Sequence, residues 1–299
     1  MAKMPTTLRA DLHVTPLIPI VTPKPLPFGI PNTWSHMAST LIHGEKEAIL
    51  VDPPLTVEQG NQIAAWIKGV IGPQNKRLTT IFITHGHGDH YFALPTLLKH
   101  FEGVKAVATA GTLEHMVQQL EPEYYNAWWV ASFPNGQLEP PREGMIQPLP
   151  ADNVIDLEGH KLQVVEAGHS DTHDSSFLHV PDLDLVVAGD ICYNELHQYL
   201  VEANNAQRRD SWIAALEKIA ALKPATVIAS HKRPGAVDGI NNVYSTIKYI
   251  RDFGECKAKA KTKEELYHGM IAKYPHRINP IILWLGCEGN FPEGVKFED

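Results

Sequence analysis

The stretch FITHGHGDHYF, residues 82–92, places three histidines and an aspartate within six positions at the end of an apolar, β-forming run. So many ionisable groups are held at the end of a buried strand only where something of opposite charge meets them. The strand delivers the chain to Thr84, and Gly86 and Gly88 permit a tight turn with close backbone approach. His85, His87, Asp89 and His90 then converge on one small volume. Neutral imidazoles with a carboxylate are the donor set of zinc or a similar borderline cation.

One loop rarely completes such a site, so later strand ends have to bring further donors. VVEAGHSD ends an apolar run at His169, LVVAGDICY ends another at Asp190, and TVIASHKRP ends a third at His231. Each donor stands where strand gives way to loop, the place where binding residues collect on layered α/β folds. Asp52, in ILVDPP, has two readings: an acceptor that orients a ligand histidine from behind, or a residue that turns the chain before Pro53.

Short apolar runs read as strands at STLIHG, EAILVDPP, TTIFITH, VKAVATA, HKLQVVEAG, SSFLHVP, LDLVVAGD and ATVIASH. Several are continuous rather than alternating, as expected of strands covered on both faces. TVEQGNQIAAWIKGVIGP reads as a helix with a capping-box pair, Thr56 and Gln59, and DSWIAALEKIAALKP as a second helix. Early and late groups of strands joined by helices predict an α/β chain with two sheets face to face and helices outside. A single doubly wound sheet would satisfy the same periodicities. Residues 1–31 form a proline-rich arm, extended rather than helical or ladder-forming over 16–31. Residues 32–237 form the main domain, and 238–299 a helical extension packed on it.

The ordered set His85, His87, Asp89, His90, His169, Asp190, His231, with Asp52 after an early strand, resembles the metallo-β-lactamase fold superfamily over about residues 37–235. The resemblance implies a four-layer αββα sandwich and a centre of two divalent metal ions, zinc first, with iron or manganese as alternatives. One ion would take His85, His87 and His169, the other Asp89, His90 and His231, with Asp190 bridging. True β-lactamases of this fold usually carry cysteine where Asp190 stands and lack the histidine at the position of His90. The chain is therefore more similar to the lactonase-like and glyoxalase-II-like branches. That implies hydrolysis of a lactone or lactam by a metal-activated hydroxide, with Asp89 partly neutralising the metal charge. Tyr193 stands three residues after Asp190, where lactonases of the superfamily keep a tyrosine that can reach the substrate carbonyl; ordinary packing is the other reading.

Two further activities fit the same resemblance: a glyoxalase-II-like thioesterase, and a one-iron, persulfide-dioxygenase-like oxidoreductase. A binding protein that kept the ligands is a third reading. Lys232 and Arg233, directly after His231, would either meet an anionic group or sit in a solvated loop. Trp34, Trp128, Trp129 and Trp284 with Phe133 serve either as core or as lining of an apolar substrate pocket. His173 reads as loop support, His115 and seven other scattered histidines as ordinary core or surface residues, and Cys192 takes no catalytic role.

A formal charge of −8 leaves no basic surplus for a phosphate backbone, so the expected partner is a small molecule and not nucleic acid. No apolar run approaches membrane-spanning length, and the start lacks a secretory layout. Three widely spaced cysteines, Cys192, Cys256 and Cys287, fit a reducing cytoplasm. A homo-oligomer is compatible with all of this.

Overall fold

Alternation within fully buried strands fixes the layering. The computed structural model describes residues 6–291. In the strands Ala38–His43 and Glu47–Val51, Leu41, Ala48 and Leu50 face one side, while Ile42, Ile49 and Val51 face the other. The first set packs on Ile63, Ala64 and Ile67 of the helix Val57–Ile71 and on Leu94 and Leu97 of the helix Leu94–His100. The second set meets Leu162, Val164, Leu178, Val180 and Val187 of a second sheet. Strands with no solvent face read as unbroken apolar runs for this reason.

The first sheet has six strands in the order Arg9–Val14, Ala38–His43, Glu47–Val51, Arg77–Phe82, Lys105–Ala108, Ile146–Pro148. Its first two pairings are antiparallel and the others parallel. The second has five, in the order Thr226–Ile228, Leu185–Val187, Ser175–Val180, His160–Gly168, Val154–Leu157. Trp212, Ala215, Leu216 and Ile219 of the helix Ala206–Ala221 cover its outer face. The architecture is helices, two sheets, helices, as expected, and the doubly wound alternative is excluded.

The helix Val57–Ile71 opens with the expected reciprocal cap between Thr56 and Gln59. The helices Asn241–Lys259, Lys263–Lys273 and Pro280–Gly289 make up the C-terminal extension and share one apolar cluster with Trp212. The N-terminal arm differs from expectation. Arg9–Val14 is a six-residue edge strand paired with Ala38–His43, and Ile18–Pro19 pairs with Thr33–Trp34 despite the prolines. Edge positions tolerate a residue without a donor N–H, so proline does not prevent a short ladder there. Among the described residues, no helix is long and apolar enough to cross a membrane.

Candidate metal centre

The loop after the strand Arg77–Phe82 tightens into a short turn at Gly88–His90 and runs through the molecule's interior. A Cβ on Gly86 would lie 2.5 Å from the His115 ring, and one on Gly88 2.5 Å from the Phe92 ring. Both glycines are required by close approach and not by handedness. His85, His87, Asp89 and His90 are all buried.

Each loop histidine is anchored through one ring nitrogen and turns the other inward. His85 Nδ1 meets the Thr84 hydroxyl at 3.0 Å, and His90 Nδ1 meets Asp52 at 3.1 Å. His87 Nε2 meets Glu202 at 2.9 Å, and His231 Nδ1 meets the His36 carbonyl at 2.7 Å. In the neutral ring, an N–H donated outward fixes the tautomer and leaves a lone pair on the inner nitrogen, the arrangement of metal-binding histidines.

Inside this ring two clusters form. His87 Nδ1 and His85 Nε2 lie 3.1 and 3.6 Å from one Asp171 oxygen. His90 Nε2 and His231 Nε2 lie 3.8 and 3.5 Å from Asp89. Asp190 stands against the second cluster, 3.4 Å from His90 and 3.2 Å from His231. Within His85–His87–Asp171 and within Asp89–His90–His231, the donor atoms all lie within 4.8 Å of one another, close enough to share one ion.

His169 does not join the first cluster. The loop after the strand His160–Gly168 closes on itself: Ser170 N–H donates to the Thr172 carbonyl, and the Ser170 hydroxyl bridges Asp171 and Ser175. This closure carries Asp171 inward and leaves His169 half-buried, its Nδ1 bonded to the Ser170 carbonyl. The residue brought to His85 and His87 is therefore Asp171, two positions later than the expected ligand.

Asp52 fills both of its sequence readings. Its backbone is left-handed, with φ 54°, ahead of Pro53. Its carboxylate accepts from Thr84 N–H, the Thr84 hydroxyl, Ser230 and His90. With four donors it is saturated, an anchor for the loop and for His90. Tyr193 is buried, and its hydroxyl donates to Asp190 at 2.8 Å. Trp34 Nε1–H donates to Asp89 at 3.0 Å.

Glu202 and His115 were not legible as site residues. Glu202 accepts from His87 and, at 2.5 Å, from the Thr172 hydroxyl. His115 is buried beside them, 5.5 Å from the His87 ring and 4.1 Å from that of His173. His87, His115 and Glu202 also have mutually close donor atoms. His87 can offer only one lone pair while neutral, so Glu202 acts on it as an acceptor.

The charges of this site are extreme. Burial pulls His90 down, but Asp190 and Asp89 outweigh it and lift the imidazole to about 10. His85 goes the other way, to about 4, through burial and the neighbouring His90. Against the penalty of burial, His231 and His90 hold Asp190 well below the usual carboxylate range. Burial and Asp190 push the Tyr193 phenol far up, so it keeps its proton.

His85 Nε2, His90 Nε2, Asp171 Oδ2 and Asp190 Oδ1 are buried with no hydrogen-bond partner. Buried polar atoms are normally paired. The four form two imidazole–carboxylate pairs, His85 with Asp171 at 3.6 Å and His90 with Asp190 at 3.4 Å, a donor set that fits divalent cations. The buried carboxylates of Asp89, Asp171 and Asp190 call for the same positive charge.

The family model of the metallo-beta-lactamase superfamily matches residues 33–231, two thirds of the chain. No curated protein matches. Among solved structures, a metallo-beta-lactamase family protein from Thermus thermophilus is similar, with 15% identity, TM-score 0.61, and 93% of this chain and 92% of that one covered. A metallo-beta-lactamase from Pontibacter korlensis has 17% identity and TM-score 0.55, covering 81% of this chain and 100% of its own. One from Hirschia baltica has 19% identity and TM-score 0.54, with 83% and 95% covered. At such identities the likeness concerns the fold. The family-model match and the sandwich it requires lead to one conclusion: this chain belongs to the metallo-beta-lactamase superfamily.

Proposed function

We propose that the chain hydrolyses a small cyclic ester or amide, a lactone or lactam, at a centre for two divalent cations, zinc first among them. His85, His87 and Asp171 would hold one ion and Asp89, His90 and His231 the other, with Asp190 between them. Bound there, such ions supply Lewis acidity toward a carbonyl oxygen and bring the pKa of a water to roughly 7.

The chain's own residues keep that centre ordered. Thr84, Asp52, Glu202 and the His36 carbonyl lock the four histidine tautomers. Trp34 fixes Asp89. Tyr193, protonated and bonded to Asp190, is a donor at the floor of the cleft and not a base. The observation that carries the reading is the set of four buried donor atoms without hydrogen-bond partners, paired His85 with Asp171 and His90 with Asp190.

The thioesterase reading needs a cationic grip on a glutathione-like anion, and the two basic residues after His231 are otherwise engaged. Lys232 pairs with Asp238, and Arg233 pairs with Glu195 and the His276 carbonyl. A panel of lactones, lactams and thioesters, run on protein reconstituted with zinc, manganese or iron, tests the choice. Turnover of lactones or lactams is expected; turnover of thioesters alone would overturn it, and oxygen uptake with one iron per chain would favour the oxidoreductase.

A further inference from the structure

Above the clustered donors lies a narrow cleft. Its walls come from four separate parts of the chain: Trp34, the segment carrying Tyr124, Trp128 and Trp129, Tyr199, and Ile282 of the last helix. Trp34 sits edge-on to Trp128 and Trp129, with ring centroids 6.4 and 6.0 Å apart. Tyr199 stands edge-on to His87 at 5.3 Å. The polar lining beyond the metal-cluster residues is short: Ser35, Gln119 and the tyrosine hydroxyls. The Gln119 carbonyl is already taken by Trp129 Nε1–H, at 3.0 Å.

No lysine or arginine lines this cleft among the described residues. Lys232 and Arg233 are paired elsewhere, and the Arg208 guanidinium is bonded to the Glu202 carbonyl and to Asn204. The centre itself offers no surplus either. Two divalent cations would bring four positive charges to a pocket that already holds the five carboxylates of Asp52, Asp89, Asp171, Asp190 and Glu202. An anionic group held at the aromatic collar would lose its hydration and find no lysine or arginine to pair with, while the charge of the ions below is already met by those carboxylates. A flat apolar ring, by contrast, finds aromatic edges and faces on several sides.

We propose that this cleft takes an uncharged substrate whose reacting carbonyl is carried on a flat, aryl-fused ring, and that it rejects carboxylate-bearing analogues. The inference rests on the hydrolase reading for its chemistry, but not for its geometry, so binding and turnover are tested apart. The aromatic collar orients the ring and excludes water from beside it. The absence of a lysine or arginine from the collar makes discrimination against anions a property of the pocket, through an unpaired buried charge.

Binding is read by quenching of tryptophan fluorescence with 2-tetralone, a non-hydrolysable aryl-fused ketone, and with a carboxy-substituted 2-tetralone. Turnover is read on metal-loaded protein with 3,4-dihydrocoumarin, its ring-carboxylated form, and δ-valerolactone. We expect the neutral ketone to bind at least roughly tenfold tighter than its carboxylate, and dihydrocoumarin to exceed both other lactones by a similar factor in kcat/KM. Trp128 is half-buried at the rim. Trp128→Lys should narrow the neutral-over-anionic ratio several-fold while Trp128→Phe keeps it, with circular dichroism confirming that both fold. Carboxylate binding equal to or tighter than that of the neutral ketone would overturn the proposal, as would δ-valerolactone matching dihydrocoumarin, or no binding of 2-tetralone at all. Selective binding of the neutral ketone without hydrolysis of any lactone or lactam would uphold the cleft's preference and sink the hydrolase reading instead.

Discussion

Replacing Glu202 by glutamine tests whether the histidine tautomers hold the centre together. The carboxylate makes two contacts, accepting from His87 Nε2–H at 2.9 Å and from the Thr172 hydroxyl at 2.5 Å. A glutamine side chain has one oxygen for two donors. With that oxygen on Thr172, the amide N–H groups face His87 Nε2 and require it to accept. The imidazole proton then moves to Nδ1, the atom that lies 3.1 Å from Asp171 and has to present a lone pair. With the oxygen on His87 instead, the Thr172 hydroxyl can turn to accept, and only the charge assistance is lost. The second arrangement is open to the variant, so the expected loss is at the lower end of the range for such supporting residues: about tenfold in metal affinity for Glu202→Gln, toward 100-fold for Glu202→Ala. Those factors correspond to about 1.4 and 2.8 kcal/mol. Competition with a chelator of known affinity measures the loss, and long-range proton–nitrogen NMR of His87 reads the tautomer. Affinities within about twofold of the parent for both variants would refute the reasoning.

One further prediction concerns the same cluster, and another a buried histidine outside it. Asp171→Asn should remove about one metal equivalent per chain, while His169→Asn should leave the stoichiometry unchanged; the reverse pattern would restore His169 as the ligand. His197 is buried, with Nδ1 bonded to the Tyr249 hydroxyl at 2.8 Å and Nε2 unpartnered, and burial with nearby Arg277 lowers it to about 3. Its protonation is disfavoured in the folded chain and ordinary, near 6.5, in the unfolded one. The folded state is therefore penalised as pH falls below 6.5 and continues to lose stability toward 3. At pH 5 the loss is about 2 kcal/mol relative to pH 7. Urea titrations should show this acid sensitivity reduced in His197→Asn, and an unchanged slope would contradict the assignment.

The sandwich was legible because its strands are covered on both faces. LDLVVAGD and EAILVDPP have no polar alternation to hide, and the Thr56–Gln59 pair marks a helix start by local hydrogen bonding alone. The edge strand Arg9–Val14 was not legible: its burial pattern is mixed, and its pairing is decided by a partner roughly thirty residues away. The same division runs through the centre. HGHGDH declares itself by density within one turn, as does a donor at the end of each later strand. Which residue of GHSD points inward depends on how Ser170 closes the loop, a tertiary detail without periodicity. Glu202 lies on a loop far from HGHGDH in sequence, and only the fold reveals its contact with His87. Its one local cue is that it stands in an apolar stretch, YLVEAN, where a carboxylate needs a partner.

The most direct test of the two-ion centre is the metal content of the purified full-length chain after chelation and reconstitution, measured by elemental analysis beside native mass spectrometry. Two divalent ions per chain are expected, falling to about one in Asp171→Asn. A chain that binds none at micromolar zinc, manganese or iron while keeping its native circular dichroism would contradict a centre built from these seven donors.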